Sequence, residues 1–197
     1  MNYKFVFLSV LLSMLCTLVQ AQSNQASKLP ARPFYVGLGL SYPFGGVAEL
    51  GTYDKKGWGA SFSLMSTVKS SKNKPADYEG GGLYSSKSLE DNFLFGSVRL
   101  QKVFYIGPKT HVGIEAGPCV IISRIKDNFR PNHGGWFTAS HTYDVITTRS
   151  LGLSMKGRVG IVRSKSLGID LGIISNIGST VNYFGGELAF SFGKIRY

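Results

Sequence analysis

The chain has 197 residues, of which 25 are glycine, 13% aromatic and only 17% charged, a composition suited to short strands, tight turns and ring-lined borders within one domain. Its mean hydropathy of +0.04 excludes helical membrane spans beyond the first residues. Two cysteines and a formal charge of +11 argue against a disulfide scaffold and for anionic surroundings.

Residues 1–21 place Lys4 before an apolar run from Phe5 to Leu18 and end on Val19-Gln20-Ala21. That is the order of a cleavable Sec-type secretory signal, too short for a comfortable membrane span. Its removal takes Cys16 with it and leaves Cys119 alone, so no internal disulfide is expected. Export also makes nucleic acid a poor explanation of the basic charge.

Residues 22–32 are polar, contain Pro30 and show no period, which reads as a flexible lead-in. The remainder, 33–197, reads as one barrel domain. From Phe34 the residues alternate: Phe34, Val36, Leu38, Leu40 and Tyr42 on one face, Tyr35, Gly37, Gly39 and Ser41 on the other. After Pro43 a weaker strand opposes Ala48 and Leu50 to Val47, Glu49 and Gly51, and a turn at Asp54 to Gly57 leads into Trp58, Ala60, Phe62 and Leu64. Residues 69–91 read as a long polar loop. Leu94, Val98 and Leu100 then oppose Phe95, Arg99 and Gln101, followed by a short turn near Pro108. Val112, Ile114, Ala116 and Val120 oppose Glu115 and Cys119; Pro118 cannot donate to a ladder, so a bulge is expected there.

A second long loop is expected at 123–149. Leu151, Leu153, Met155, Val159 and Ile161 then oppose Lys156 and Arg158, and Leu167, Ile169, Leu171 and Ile173 oppose Asp170. The final stretch, 183–197, alternates Leu188, Phe190 and Phe192 with Glu187, Ala189 and Ser191. So apolar a strand is safe from fraying and aggregation only where no sheet edge exists. These patterns predict an all-β fold: a closed antiparallel transmembrane barrel of about eight strands, with the last strand pairing to the first.

In a soluble barrel the greasy face would line the cavity, and the outer face would carry long polar side chains. Here the second face is glycine-rich and sparsely charged, a poor solvent surface but a good filling for a narrow lumen. Two aromatic girdles are expected, Phe34, Trp58, Phe104, Tyr105 and Phe192 at one end and Tyr42, Phe44, Tyr183 and Phe184 at the other.

The signal, the alternating strands, the long loops on one side and the run Gly185-Gly186-Glu187-Leu188-Ala189-Phe190-Ser191-Phe192 resemble small outer-membrane β-barrel proteins of the OmpA/OmpX-like class. The resemblance implies the outer membrane of a Gram-negative bacterium, contact with its lipid, and recognition of the last strand by the barrel-assembly machinery.

The inner face collects Glu49, Glu115, Asp170 and Glu187 against Arg99, Lys156 and Arg158. Such charges are expected to pair, because an unpaired buried ion costs several kcal/mol. They therefore read as a plug, with a small-solute, porin-like channel as the alternative. Lysines and arginines such as Lys55, Lys56, Lys109 and Lys165 crowd the short-turn rim, either to meet anionic headgroups or an acidic periplasmic partner or as solvated turn residues that resist aggregation.

His111, His133 and His141 lack ligand spacing, and no cofactor or metal is expected. Ser175-Asn176-Ile177-Gly178 with Glu187 faintly resembles the catalytic region of outer-membrane lipid A deacylases. The position that needs histidine is Ile173, so no enzymatic activity is expected. Tyr78 and Tyr84 in the first loop, and Phe129, Trp136, Phe137 and Tyr143 in the second, supply rings either for an interaction surface with an unknown partner or for loops that cap the lumen.

Overall fold

The computed structural model describes residues 34–54, 56–79, 89–107, 109–132, 139–162 and 166–193. The signal at 1–21, the lead-in and the last four residues lie outside them. Eight strands follow in chain order: β1 (Phe34–Tyr42), β2 (Gly45–Tyr53), β3 (Trp58–Ser70), β4 (Glu90–Tyr105), β5 (Thr110–Pro131), β6 (His141–Val162), β7 (Leu167–Gly178) and β8 (Asn182–Gly193). Each pairs antiparallel with its neighbours, and β8 pairs with β1, closing the barrel with Phe190 opposite Leu38 and Ser191 opposite Gly37.

Closure leaves the period-two pattern with one meaning around the ring. Leu38, Leu40, Leu100, Leu151, Leu171 and Phe190 are exposed on the outside, while Glu49, Arg99, Glu115, Arg158 and Glu187 are buried inside. The outward positions from Val112 to Ile122 on β5 and from Leu151 to Ile161 on β6 carry no charge, matching the roughly 9–11 residues that a tilted strand needs to cross a bilayer.

The β2–β3 turn shows why these residues stop a strand. The Asp54 carboxylate accepts the backbone N–H groups of Lys56 (2.8 Å) and Trp58 (2.9 Å), and Gly57 takes φ 80°, a left-handed conformation that side chains resist. We call this the turn end, since residues 106–109 and 163–166 also connect strands there. The opposite, loop end carries the connections at 43–44, 71–89, 132–140 and 179–181.

Two expectations about the ladder are corrected. The β4–β5 register is the same on both sides of Pro118, with Ser97 opposite Cys119 and Leu100 opposite Ala116, so no residue is inserted. Pro118 points outward, and the β4–β5 pairing skips Val98 and Arg99 beside it, where a side chain at Gly117 would collide with the Val98 carbonyl. The sheet thus accommodates the missing N–H by a local gap in pairing rather than by an extra residue. The irregularity lies instead between Asp127 and Arg130, where Asn128 adopts φ 54°.

The second correction concerns 123–149, which is largely ladder. β5 and β6 stay paired far beyond the barrel wall, from Cys119 opposite Gly152 up to Pro131 opposite His141, forming a two-stranded ribbon. β7 pairs with β6 only from Gly152 onward, so the upper part of β6 has no strand on that side among the described residues.

Candidate functional site

The interior is layered. In the middle, Glu49 on β2 accepts from Arg99 Nη2 (2.6 Å), Lys156 Nζ (2.9 Å), Arg158 Nη1 (3.2 Å) and the Tyr35 hydroxyl (2.7 Å). Glu115 on β5 faces Arg99 Nε at 3.1 Å and Arg158 Nε at 3.3 Å and accepts from Ser61 (2.9 Å). Glu187 on β8 holds the other side of Lys156 at 2.8 Å. Six of the seven predicted charges therefore form one lattice spanning β2, β4, β5, β6 and β8.

The seventh, Asp170 on β7, stands apart with different partners. It faces His111 Nε2 at 3.1 Å and accepts from the Ser191 hydroxyl. His111 is thus a lumen residue paired with an acid rather than a metal candidate. Its inward position follows from its alternation with Gly113 and Glu115, a signal that period two already carries. Gln101 is a second such residue: its Oε1 accepts from Arg158 (2.8 Å) and lies 3.0 Å from the Tyr35 hydroxyl, while its Nε2 donates to the Thr52 and Ala60 carbonyls.

The glycines of the inner face give these long side chains room. A Cβ at Gly113 would lie 2.9 Å from Arg158 Nε, and one at Gly160 would overlap His111 and Asp170. Chemically, the lattice has every cation facing a carboxylate, which removes the penalty of an orphaned buried charge.

Apolar clusters lie on either side of this lattice. Toward the loop end lie Val47, Met65, Phe93, Phe95, Cys119, Ile121, Ile174 and Tyr183, all buried. Toward the turn end lie Tyr35, Tyr53, Val103, Tyr105 and Val162.

At the loop end, 71–79 folds onto the ribbon. Glu79 N–H donates to Ser140 Oγ (2.7 Å), Ser140 N–H donates to the Glu79 carbonyl (2.8 Å), and Tyr78 packs edge-on to Phe129 at 6.2 Å between ring centroids. Phe129 in turn meets Tyr143 at 5.7 Å, and Lys126 sits over the Tyr143 ring at 5.5 Å. Burial, and then the neighbouring Tyr143, raises the Tyr78 phenol above its ordinary value, so it stays neutral. Three of the six predicted loop rings are thus one packed cluster; Tyr84, Trp136 and Phe137 lie outside the described residues.

No family model matches the sequence and no curated relative does. Among solved structures, the N-terminal β-barrel domain of Pseudomonas aeruginosa OprF is similar with a TM-score of 0.51 at 8% identity, covering 84% of this chain and 99% of that one. Ail, the attachment invasion locus protein of Yersinia pestis, solved in complex with the heparin analogue sucrose octasulfate, matches with a TM-score of 0.50 at 12% identity over 82% and 96%.

The fold is that of the small outer-membrane β-barrels.

In a barrel of this type the aromatic borders differ from those expected. Trp58, Phe34 and Phe192 are exposed at the turn end and Tyr42, Phe44 and Phe184 at the loop end, but Tyr105 and Tyr183 belong to the interior layers, and Phe104 is buried beside Lys102. The deacylase-like serine is also separated from its acid. Ser175 lies on the outward phase of β7 between Ile173 and Ile177, whereas Glu187 faces the lumen. His111 lies in the lumen and His141 beneath the loop, 3.9 Å from Asp77; His133 is outside the described residues.

Proposed function

We propose that this chain is an outer-membrane protein of a Gram-negative bacterium, exported by residues 1–21, with a closed lumen, no enzymatic activity and a surface-interaction role at its loop end. The single observation that carries this reading is the inverted polarity of the barrel: apolar side chains cover the outside, and the ion lattice is buried inside between two apolar clusters. Water cannot cross such an interior without opening it, because eight strands leave only enough room for side chains. The rigid wall instead carries a projecting ribbon at its loop end, on which Tyr143 is exposed and Phe129 holds the buried Tyr78 of the first loop. Assembly would use the barrel-assembly machinery acting on β8.

The test is heat-modifiable migration together with detergent-dependent extraction from an outer-membrane fraction, followed by planar-bilayer recording. A protein released without detergent would overturn the membrane reading, and steady single-channel openings would overturn the closed lumen in favour of a small-solute channel.

A further inference from the structure

On the outer wall, at the height where the apolar belt ends, β3, β4 and β5 enclose a groove of about 310 Å³ lined by Ser66, Asn92, Phe93, Leu94, Ile122 and Arg124. Its polarity is graded. Leu94 pairs with Ile122 at the lower tier, and one pair nearer the loops Asn92 faces Arg124. Arg149 stands beside it on β6, opposite Ile122, while Arg124 is opposite Thr147. The two arginines are therefore diagonal neighbours on one face, a relation that spaces Cα atoms by roughly 7–8 Å.

Both side chains are exposed, and neither has an ion-pair partner among the described residues. Local acids do not use them. Glu90 lies further along β4 with Lys126 Nζ donating to its carbonyl (2.7 Å), and Asp91 accepts the Lys126 N–H (2.9 Å). The opposite sector of the loop-end rim has no such cations: β1, β2 and β8 present Tyr42, Phe44 and Phe184 there, each more than 70% exposed.

We propose that this groove is a binding site for a lipid of the loop-side leaflet whose headgroup carries phosphate, with Arg124 and Arg149 holding the phosphate and Leu94 and Ile122 flanking the first carbons of its chains. The chemistry fits on three counts. Guanidinium groups are always charged and hold phosphate oxygens through paired N–H donors. Asn92 and Ser66 add neutral hydrogen-bonding groups at the same level. The step from polar to apolar lining falls where a headgroup gives way to hydrocarbon, so an amphiphile satisfies both tiers and a soluble anion only one. The proposal rests on insertion of the barrel in a bilayer.

The experiment uses the barrel reconstituted in phosphatidylcholine vesicles with Trp58→Phe, Trp136→Phe and Leu94→Trp, so that a single indole reports from the groove. Quenching by brominated phosphatidic acid is compared with quenching by brominated phosphatidylcholine. A relative association at least threefold in favour of phosphatidic acid is expected, falling to within about twofold of unity in Arg124→Gln/Arg149→Gln and largely kept in Arg124→Lys/Arg149→Lys. A ratio near unity in the parent, or a preference indifferent to the glutamines, would overturn the site. Loss of the preference on adding millimolar inorganic phosphate would assign the arginines to a soluble anion and reject the lipid. Absence of quenching by either brominated lipid would reject the membrane reading on which the site rests, whereas equal quenching by both would reject the site alone.

Discussion

Glu49 and Arg99 form a 2.6 Å ion pair between β2 and β4, with side chains 3% and 0% exposed, and Glu49 is at the same time the carboxylate that Lys156 and Arg158 reach. One acid thus meets all three bases of the lattice. Removing it strands several charges at once.

Glu49→Leu is accordingly expected to destabilise the folded barrel strongly. Breaking a buried pair by deleting one partner costs about 3–5 kcal/mol, and here the deletion affects three cations. The urea midpoint of the heat-modifiable form in lipid should fall clearly. Glu49→Leu combined with Lys156→Met should recover part of the loss, a non-additivity that independent sites do not show.

Glu187→Leu should also destabilise, by a smaller amount. It leaves Lys156 without one carboxylate, yet Lys156 keeps Glu49 at 2.9 Å. The same urea titration should rank Glu49→Leu below Glu187→Leu in midpoint; the reverse order would contradict the lattice as drawn.

Phe190 faces outward on the closing strand, opposite Leu38 on β1 and Ile169 on β7. Phe190→Arg should lower the fraction that inserts, because a cation facing lipid is destabilising by an amount that rises from near zero at the interface to about 2–4 kcal/mol at the bilayer midplane. The folded fraction after dilution into vesicles, read by electrophoretic migration, checks this. Ser191→Ala, on the inner face one residue away, should insert normally.

Cys119 is 1% exposed within the loop-end apolar layer. In the chain lacking residues 1–21 it should resist a polar maleimide while the barrel is folded and react fully in denaturant. The mass increment counts the label directly, so appreciable labelling of the folded barrel would mean that the layer opens.

Tyr78→Ala should release the first loop from the ribbon while leaving the barrel intact. The ring pair with Phe129 is worth about 0.5–1.5 kcal/mol beyond its burial. Limited proteolysis should cut near 71–79 sooner, with the unfolding midpoint of the barrel almost unchanged.

Period two alone carries most of the fold. Leu38, Leu100 and Leu151 on one phase and Arg99, Glu115 and Arg158 on the other assign the two faces of the wall, because a closed sheet admits one inside and one outside. Polarity within the inner phase was harder to read. Met65, Phe95, Ile121 and Ile174 break the glycine-serine pattern and stack as a layer, a height relation that depends on the stagger between strands rather than on local sequence. Tyr105 and Tyr183 read as border rings for the same reason, since nothing local says that an inward ring near a strand end will fold over the lumen.

The ribbon was hidden by composition. Arg124, Lys126, Asp127 and Asp144 are polar on both faces once the chain leaves the belt, so the alternation vanishes although the ladder continues. Pro118 misled in the opposite sense. Its missing donor argued for an inserted residue, but the ladder keeps its register and only interrupts its pairing there.

The reach of Glu49 along the chain also bears on how such a molecule can form. Its partners lie 50, 107 and 109 residues away, at Arg99, Lys156 and Arg158. No two adjacent strands can neutralise it, so a half-built sheet would carry bare ions. Contacts this distant must overcome the entropy of closing long loops, which slows folding. Desolvating the carboxylate and guanidinium groups and joining β8 to β1 are therefore expected to be one cooperative event, with few stable intermediates that have entered hydrocarbon before the ring is complete.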